Sequence, residues 1–430
     1  MSAQWATLED GPVAPETGPG RHDDVTFISE TTGWIVNGYQ EVHRTTDYGE
    51  TWDQISTIPA FLRSVGFKNE TQGWVGTLAA DRLLWETLDN GETWSDITDR
   101  ITGTKPTGVC GLWVVNDTLA FGVGTYNGPP VVIRTADGGA SWNGTDLSSL
   151  GIGTLIDVYF RDASTGFAVG GTSDQLDGNA VVVRTDDGGL SWQLAYEPTQ
   201  QPGVGGEWGW KISFPNPDTG YVAVEYPFTN TTGVNARFLK TTNGGDTWQV
   251  GEVTGSTMPA GLQGIGFISP MVGWAGGRGE PFMTIDGGET WQQAGDLDPK
   301  INRIRVVNDS VAYAVGKGVY RYLSGSTPVN IETIPSAPRL FTLNQNYPNP
   351  FNPSTTIGYD LHQPAHVRVR VLGILGQTLQ TLVDEKQAVG SHAVTWDGRD
   401  EGGSRVASGA YMYVIDMGPI VEMKMMVLLK

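Results

Sequence analysis

The 430-residue chain contains 59 glycines, 24 prolines and 15 tryptophans, and only 17% of its residues are charged. This composition is typical of short strands joined by tight turns, and no window shows a helical period of apolar residues. The net charge of −20 argues against nucleic acid as a partner, and no stretch approaches the ~20 apolar residues of a membrane span.

A repeated eight-residue motif dominates the first three quarters of the chain. Its six copies are TTDYGETW (45–52), TLDNGETW (87–94), TADGGASW (135–142), TDDGGLSW (185–192), TTNGGDTW (241–248) and TIDGGETW (284–291). Successive copies are 42, 48, 50, 56 and 43 residues apart. A period of about 40 to 50 residues rich in β-formers indicates the blades of a β-propeller.

Each copy occupies the same place in a predicted four-stranded unit. In the first unit the strands, named A to D, are predicted near 25–29, 33–37, 41–46 and 52–56. The motif is then the hairpin turn between strands C and D. Its Asp can accept hydrogen bonds from the turn, its Gly supplies a positive φ, and its Trp buries a large ring.

At this turn the chain resembles the Asp-box propellers of sialidases, sortilin-type receptors and photosystem II assembly factors, whose pattern is Ser/Thr-x-Asp-x-Gly-x-x-Trp. The six positions that match the Asp are Asp47, Asp89, Asp137, Asp187, Asn243 and Asp286. Asn243 can still accept a hydrogen bond, but it cannot act as a catalytic carboxylate. We therefore interpret the six motifs as structural turns and not as active sites.

A seventh unit lacks the motif. Its strands are predicted near 304–307, 311–315 and 318–323, after which the propeller ends. The N-terminal segment SAQWATLED resembles the segments that follow the motifs, and it places Trp5 where Trp52 stands in the first unit. We predict that this segment completes the last blade, giving a seven-bladed ring over residues 1–323.

The remaining chain has a different composition. Residues 324–340 are rich in Pro, Ser and Thr and are predicted to be a linker, whereas 341–430 read as strands and turns. The predicted fold class is thus all-β, with a seven-bladed β-propeller followed by a small Ig-like β-sandwich.

This tail resembles the type A C-terminal sorting domain of the type IX secretion system. The match rests on NYPNPFNP (346–353), WDGRD (396–400), Gly402, Ser408-Gly409 and Lys430. It implies contact of residues 341–430 with the secretion machinery and a secreted or outer-membrane, cell-surface location. That route begins with a signal peptide, which this sequence lacks, so we expect the natural start to lie upstream or Met1 to have been added. A protein that is not exported is the less favoured alternative.

Motifs that carry chemistry are scarce. Cys110 is the single cysteine and is predicted to be a buried, inert thiol, and the five histidines suggest no metal pair. We predict no cofactor, no metal and no catalytic residue. Sialidases usually carry an Arg-Ile-Pro motif, which is absent here, and xyloglucanase-type enzymes place a cleft between two propellers, whereas this chain predicts one ring.

Long insertions fall only in the B–C and D–A connections, and those in blades 3 to 5 are the longest. These connections share one face of the propeller, which we call the loop face. The candidate ligand-binding residues in these loops are Asp174, Asp177, Glu207, Trp208, Trp210, Lys211, Glu225, Tyr226 and Phe228. Trp208 and Trp210 could stack on sugar rings, but a position in the core is the favoured interpretation. For the Asp174 segment a solvated turn is favoured over a calcium site, and Tyr226 and Phe228 either form a partner surface or lie buried at a loop base.

The sequence leaves two functional classes open. The first is a non-catalytic binding or scaffold propeller, expected to be monomeric, that engages a glycan or a protein through its loop face. The alternative is a secreted glycoside hydrolase of sialidase or xyloglucanase type. The absence of recognisable catalytic motifs favours the binding module, so enzymatic activity is not the leading interpretation.

Overall fold

The computed structural model describes residues 5–8, 10–15, 20–124, 128–173, 178–196, 206–226, 235–256, 261–297, 299–308, 310–323, 341–344, 346–373, 377–417 and 420–429. Contacts divide the chain into a propeller unit, Trp5–Leu323, and a C-terminal unit, which is described from Phe341 onward. The helices within these ranges are two short 3₁₀ turns, Thr98–Arg100 and Ser148–Leu150. No helix in the described ranges has the length and apolar character needed to cross a bilayer.

The propeller unit begins with one short strand and continues through three blades. These strands are β1 (Trp5–Thr7), β2 (His22–Phe27), β3 (Gly33–Asn37), β4 (Glu41–Thr45), β5 (Asp53–Thr57), β6 (Leu62–Phe67), β7 (Gly73–Thr77), β8 (Leu84–Thr87), β9 (Ser95–Asp96), β10 (Ile101–Gly103), β11 (Gly111–Val114), β12 (Ala120–Val123), β13 (Val131–Thr135) and β14 (Trp142–Asp146).

Four further blades follow. Their strands are β15 (Thr154–Phe160), β16 (Gly166–Gly171), β17 (Ala180–Thr185), β18 (Gln193–Tyr196), β19 (Trp208–Ser213), β20 (Gly220–Glu225), β21 (Ala236–Thr241), β22 (Gln249–Val253), β23 (Leu262–Phe267), β24 (Gly273–Gly277), β25 (Phe282–Thr284), β26 (Gln292–Gln293), β27 (Arg303–Val306), β28 (Val311–Val315) and β29 (Val319–Leu323).

The strands of the propeller unit form seven sheets, one for each blade. Within a blade, consecutive strands pair antiparallel from the innermost outward, as the hairpin turns between them require. The seventh sheet has the order β1-β29-β28-β27, and Trp5 lies opposite Tyr322 in it. The two ends of the propeller sequence therefore meet in one sheet, which closes the ring.

Blade 3 has a strand that the sequence analysis did not predict. β10 comes from the connection out of blade 2 and pairs parallel to β14, the outer strand of blade 3. This pairing covers an edge that would otherwise present unpaired backbone groups. Ile101, in β10, is buried against the same apolar cluster as Trp142.

The repeated motif forms the same hydrogen-bonded turn in each blade that carries it. In the first copy, Thr45 Oγ1 donates to Asp47 Oδ1 at 2.8 Å, and Gly49 N donates to Thr45 Oγ1 at 2.9 Å. The Asp47 carboxylate also accepts the backbone N–H of Thr51 at 3.0 Å. These contacts satisfy the turn's donors locally, so the Asp is fully used within its own turn.

The other copies of the turn vary in informative ways. A hydrogen bond from the Ser141 hydroxyl lowers the pKa of Asp137 to about 2, and one from Ser191 lowers the pKa of Asp187 to about 2. In the copy without an Asp, Asn243 Oδ1 accepts from Thr247 N at 3.0 Å while its Nδ2 donates to Thr247 Oγ1 at 2.9 Å. The amide thus reproduces the turn without a charge.

Aromatic rings pack the blades against one another. Trp52 contacts Phe27 edge-on with 6.0 Å between the ring centroids, and Phe27 stacks on Tyr313 of the seventh blade with 3.9 Å between the centroids. Trp5 contacts Trp274 of the sixth blade edge-on at a centroid distance of 5.2 Å, and Trp142 contacts Trp74 in the same way at 5.6 Å. Trp5 therefore fills, in the seventh blade, the role that the motif Trp fills elsewhere.

The C-terminal unit is a sandwich of two antiparallel sheets with the orders β30-β31-β34 and β33-β32-β35-β36. Its strands are β30 (Phe341–Leu343), β31 (Thr355–Leu361), β32 (Ala365–Leu372), β33 (Thr378–Gln387), β34 (Gly390–Trp396), β35 (Gly409–Met417) and β36 (Ile420–Leu428). Alternate residues of β31 and β32, such as Ile357 and Val369, are fully buried beside Trp396. The prediction of an all-β chain with a seven-bladed propeller followed by a β-sandwich is confirmed.

Candidate functional site

β-Bulges place unpaired residues on the innermost strands. The pairing of the first two strands of a blade skips Asp23, Arg63, Ile156, Trp210 and Gln263 in blades 1, 2, 4, 5 and 6. A bulged residue does not pair with the neighbouring strand, and the bulge changes the direction of its side chain. Here the innermost strands surround the central channel, and the Arg63 guanidinium lies 5.1 Å above the Trp210 ring. This contact joins blades 2 and 5 inside the channel.

Arg303 is the centre of an ion-pair network in this channel. Its Nε donates to Asp24 Oδ1 at 2.7 Å, and its Nη1 and Nη2 donate to Asp157 Oδ2 and Oδ1 at 2.7 and 2.9 Å. Burial would lower the pKa of Arg303, but the Asp157 and Asp24 carboxylates outweigh burial and raise it. Because Arg303 is in blade 7, Asp24 in blade 1 and Asp157 in blade 4, this one side chain ties three blades together.

A second set of contacts lies at the loop-face end of the channel. Arg63 Nη1 donates to Asp23 Oδ1, and Arg21 Nη1 donates to Gln263 Oε1 at 2.6 Å. Gln263 in turn donates to Glu225. Burial raises the pKa of Glu225, and nearby Arg21 only partly offsets that rise. Most of the polar groups here thus pair with one another, and Asp23, Arg63, Glu225 and Gln263 are buried.

Lys211 differs from its neighbours. Its side chain is 1% exposed, its Nζ lies 3.9 Å from Asp157 Oδ1, and no described acceptor lies within hydrogen-bond distance of Nζ. Burial, together with the nearby charge of Arg303, lowers the pKa of Lys211 to about 8. The interior of the channel is thus closed by side chains, and its paired charges hold blades in place.

The opposite end of the channel, on the face of the A–B turns, is open. A cavity of about 380 Å³ lies there, between the inner strands of blades 7, 1, 2 and 3. We call it the turn-face cavity. It is lined by Thr26, Phe27, Ile28, Ser29, Glu30, Gly66, Phe67, Leu112, Trp113, Val114, Arg305, Val306, Val307 and Asn308. The Arg305 guanidinium stands 5.1 Å from the centre of the Trp113 ring.

Six of the sequence-predicted ligand residues do not lie on the surface. Glu207, Trp208, Trp210, Lys211, Glu225 and Tyr226 are all buried. The segment from Glu207 to Lys211 was expected in a loop, but β19 begins at Trp208 and carries its side chains into the core and the channel. The expectation that these side chains project from the loop face is therefore corrected, and the core position favoured for the two tryptophans is observed.

Apart from Lys211, the polar members of that group form hydrogen bonds. Glu207 Oε1 accepts from Arg237 Nη1 at 2.9 Å, and the Tyr226 hydroxyl donates to Asn235 O at 3.3 Å. Trp208 Nε1 donates to Ser173 O at 3.0 Å. Asp174, Asp177 and Phe228 lie outside the described residues. Among the described residues, no group of three or more His, Cys, Asp or Glu is arranged to hold a metal ion.

The sequence analysis named Trp210, Lys211 and Glu225 as loop ligands and overlooked the other channel residues. The signal was present, because charged residues interrupt apolar inner strands in HDDVTF (22–27), LRSVGF (62–67), TLIDVYF (154–160) and RIRV (303–306). Trp113 and Arg305 of the turn-face cavity were also missed, because short turns on that face gave no reason to examine it.

Comparisons with known proteins agree with the architecture. Residues 350–417 match the model of the FlgD Ig-like domain, which makes the C-terminal sandwich Ig-like. No curated protein matches the chain. The solved structure of YCF48 from Cyanidioschyzon merolae is 17% identical with a TM-score of 0.53, and the match covers 75% of this chain and 98% of that one. A second structure, titled YCF48 bound to D1 peptide, matches with the same values.

Two enzymes are also similar in fold. The GH74 xyloglucanase from Xanthomonas campestris is 13% identical with a TM-score of 0.53, and the match covers 98% of this chain and 75% of that one. The Niastella koreensis GH74 enzyme is 14% identical with a TM-score of 0.51, and the match covers 98% of this chain and 68% of that one. At such identities the likeness establishes a propeller fold and nothing about activity.

Proposed function

We propose that the chain is a secreted or cell-surface binding propeller without catalytic activity, which engages a glycan or a protein through its loop face. The observation that carries this proposal is the state of the channel carboxylates. Asp23, Asp24 and Asp157 are each paired with an arginine, and Glu225 accepts from Gln263. All four are buried, so a glycosidic bond could not be brought between two of them.

The comparisons are compatible with both functional classes. One similar structure is described as YCF48 bound to D1 peptide, so a propeller of related fold holds a peptide. Others are GH74 enzymes, and a glycoside hydrolase therefore remains the alternative. The resemblance of the motif turns to Asp-box propellers and of the tail to type IX sorting domains supports export, with residues 341–430 contacting the secretion machinery.

The test uses the full chain against a panel of neutral and acidic polysaccharides. Depletion of protein from solution and release of reducing ends are measured in the same tube. The proposal predicts depletion by one polymer, or by none if the partner is a protein, and no release from any polymer. Release of reducing ends from any polymer would replace the binding proposal with the hydrolase.

Variants sharpen that test. Glu207 and Glu225 are unsuitable because both are buried and their loss would disturb folding. Asp174→Asn with Asp177→Asn changes the two candidate loop carboxylates, and Asp53→Asn with Asp99→Asn removes the same charge at exposed positions elsewhere. A hydrolase that uses either loop residue would lose turnover by about 10²-fold or more only in the first pair. A binding protein would show at most a graded loss of depletion.

A further inference from the structure

The turn-face cavity presents an arginine with unused donors. Arg305 Nε donates to Val25 O at 3.2 Å, while Nη2 lies 3.8 Å from Asp24 Oδ1. Neither Nη group hydrogen-bonds to any residue in the described ranges. Asp24 cannot serve Arg305 fully, because its carboxylate already accepts from Arg303 and from Val65 N at 3.2 Å. Arg305 therefore has a fork of N–H donors available inside the cavity.

The unpaired Nη groups of Arg305 favour an anion. The charged groups nearest to Arg305 inside the channel are Arg303, Asp24 and Asp157, and Arg303 already hydrogen-bonds to both of these carboxylates. Glu30 also lines the cavity, but it is exposed and its carboxylate accepts from Asn308 Nδ2 at 2.6 Å. A ligand carboxylate placed on the Nη groups would pair with Arg305 through two charge-assisted hydrogen bonds.

The lining and volume of the cavity indicate the size and apolar character of the rest of the ligand. Trp113, Phe27, Ile28, Val114 and Val307 supply apolar and aromatic surface around the guanidinium. The volume of about 380 Å³ lies at the low end of the range for small-ligand pockets, about 300 to 1,000 Å³, which suits a body of one ring. The acidic surface would repel a polyanion much more strongly than a ligand with a single negative charge.

We infer that the turn-face cavity binds a small aromatic monocarboxylate, whose carboxylate pairs with Arg305 and whose ring packs beside Trp113. The site is on the face opposite the loop face. It therefore adds a ligand to the proposed binding function without depending on the glycan or protein partner, and its failure would leave that proposal standing.

The probe is 4-fluorobenzoate, with 4-fluorobenzamide as a neutral molecule of nearly the same shape. Fluorine NMR of each probe is recorded against the full chain at pH 7 over a concentration series. We expect saturable binding of 4-fluorobenzoate and at least about tenfold weaker binding of the amide, since a bidentate charged pair exceeds a neutral hydrogen bond by about that factor. Equal binding of the two probes, or no saturable binding of the benzoate at millimolar concentrations, would overturn the inference.

Variants test the contact itself. Arg305→Met should weaken 4-fluorobenzoate binding at least about tenfold and leave amide binding unchanged. Arg134→Met is the matched control: Arg134 belongs to strand β13, its Nε donates to Gly188 O at 2.7 Å, and it does not line the cavity. This control should bind like the wild type. If Arg305→Met fails to fold, Arg305→Lys keeps the charge without the planar fork and should still weaken binding several-fold. Unchanged binding in the folded Arg305 variant would refute the assignment.

Discussion

Replacing Arg303 with methionine would test whether the channel network stabilises the propeller. The substitution removes three hydrogen bonds of 2.7 to 2.9 Å and leaves Asp24 and Asp157 buried without the cation that hydrogen-bonds to them. Asp24 keeps two backbone donors, Val25 N at 3.0 Å and Val65 N at 3.2 Å, and Asp157 keeps Ile212 N at 3.1 Å. The remaining cations, Arg305 and Lys211, lie 3.8 and 3.9 Å from these carboxylates. Removing one member of a buried pair typically costs about 3 to 5 kcal/mol, and Arg303 serves two carboxylates, so we expect a loss in that range or slightly above it.

Two further variants separate lost pairing from lost packing. Arg303→Met with Asp24→Asn and Asp157→Asn removes the stranded charges, and it should recover most of the loss because a buried apolar replacement is often neutral. Lys211→Met removes a buried cation that makes no hydrogen bond within the described residues, so we expect no loss of stability at pH 7 and a small gain. Lys211 has the same burial and the same neighbour, Asp157, which makes it a close control.

Denaturant unfolding followed by intrinsic fluorescence measures these effects. All tryptophans except Trp396 precede residue 324, so the signal reports the propeller. The shift in the transition midpoint, with the slope unchanged, gives the difference in unfolding free energy. A loss below about 1 kcal/mol for Arg303→Met, or an equal loss for Lys211→Met, would refute the view that Arg303 is the stabilising member of the network.

Three other predictions concern pH and ring closure. The pKa values of Asp137 and Asp187 are lowered to about 2 from an ordinary 3.8, so the stability that these carboxylates contribute is present above about pH 4 and is lost as the pH falls through 2. The melting temperature of Asp137→Asn should therefore fall less than that of the wild type between pH 4 and pH 2, and identical acid profiles would contradict this. The pKa of Lys211 is lowered to about 8 from 10.5, so its buried charge destabilises the fold below pH 8 and this effect is relieved between pH 8 and 10.5. Melting temperatures of the wild type and Lys211→Met, measured in parallel, should therefore show the wild type gaining stability relative to the variant over that interval. Trp5→Ala removes a 3% exposed side chain that packs on Trp274, and the free energy of unfolding of the propeller should fall by about 3 kcal/mol. Val13→Ala, at a 68% exposed position, is the control and should leave the denaturant midpoint unchanged.

The fold was predictable because its signals are local. A turn that repeats every 42 to 56 residues needs only its own hydrogen bonds to form, and the spacing between copies supplies the strand count. The alternation in HVRVRVL indicated a half-buried strand, and Val367, Val369 and Val371 are indeed fully buried in the sandwich.

The channel was not predictable, because its meaning depends on partners that are distant in sequence. Asp24 and Arg303 look unfavourable in their strands until the ring brings them within 2.7 Å of each other. The segment around Glu207 was misread because its glycines suggested a loop, although the alternation in WGWKIS already fitted a strand. β10 escaped prediction because a three-residue strand that pairs parallel has no signature of its own.

The pairing of β1 with β29 also sets the order of events in folding. Trp5 and Tyr322 are neighbours across this ladder, yet nearly the whole propeller sequence separates them. Blades 1 to 6 draw all their strands from contiguous chain, so each can form as soon as it leaves the ribosome, whereas the seventh cannot. The first strand of the propeller is therefore the last of its strands to pair, and loop-closure entropy makes that final step slow. Until then Trp274 and Tyr322 lack the ring that covers them, which makes this seam the point where a nascent propeller is most open to a chaperone or to aggregation.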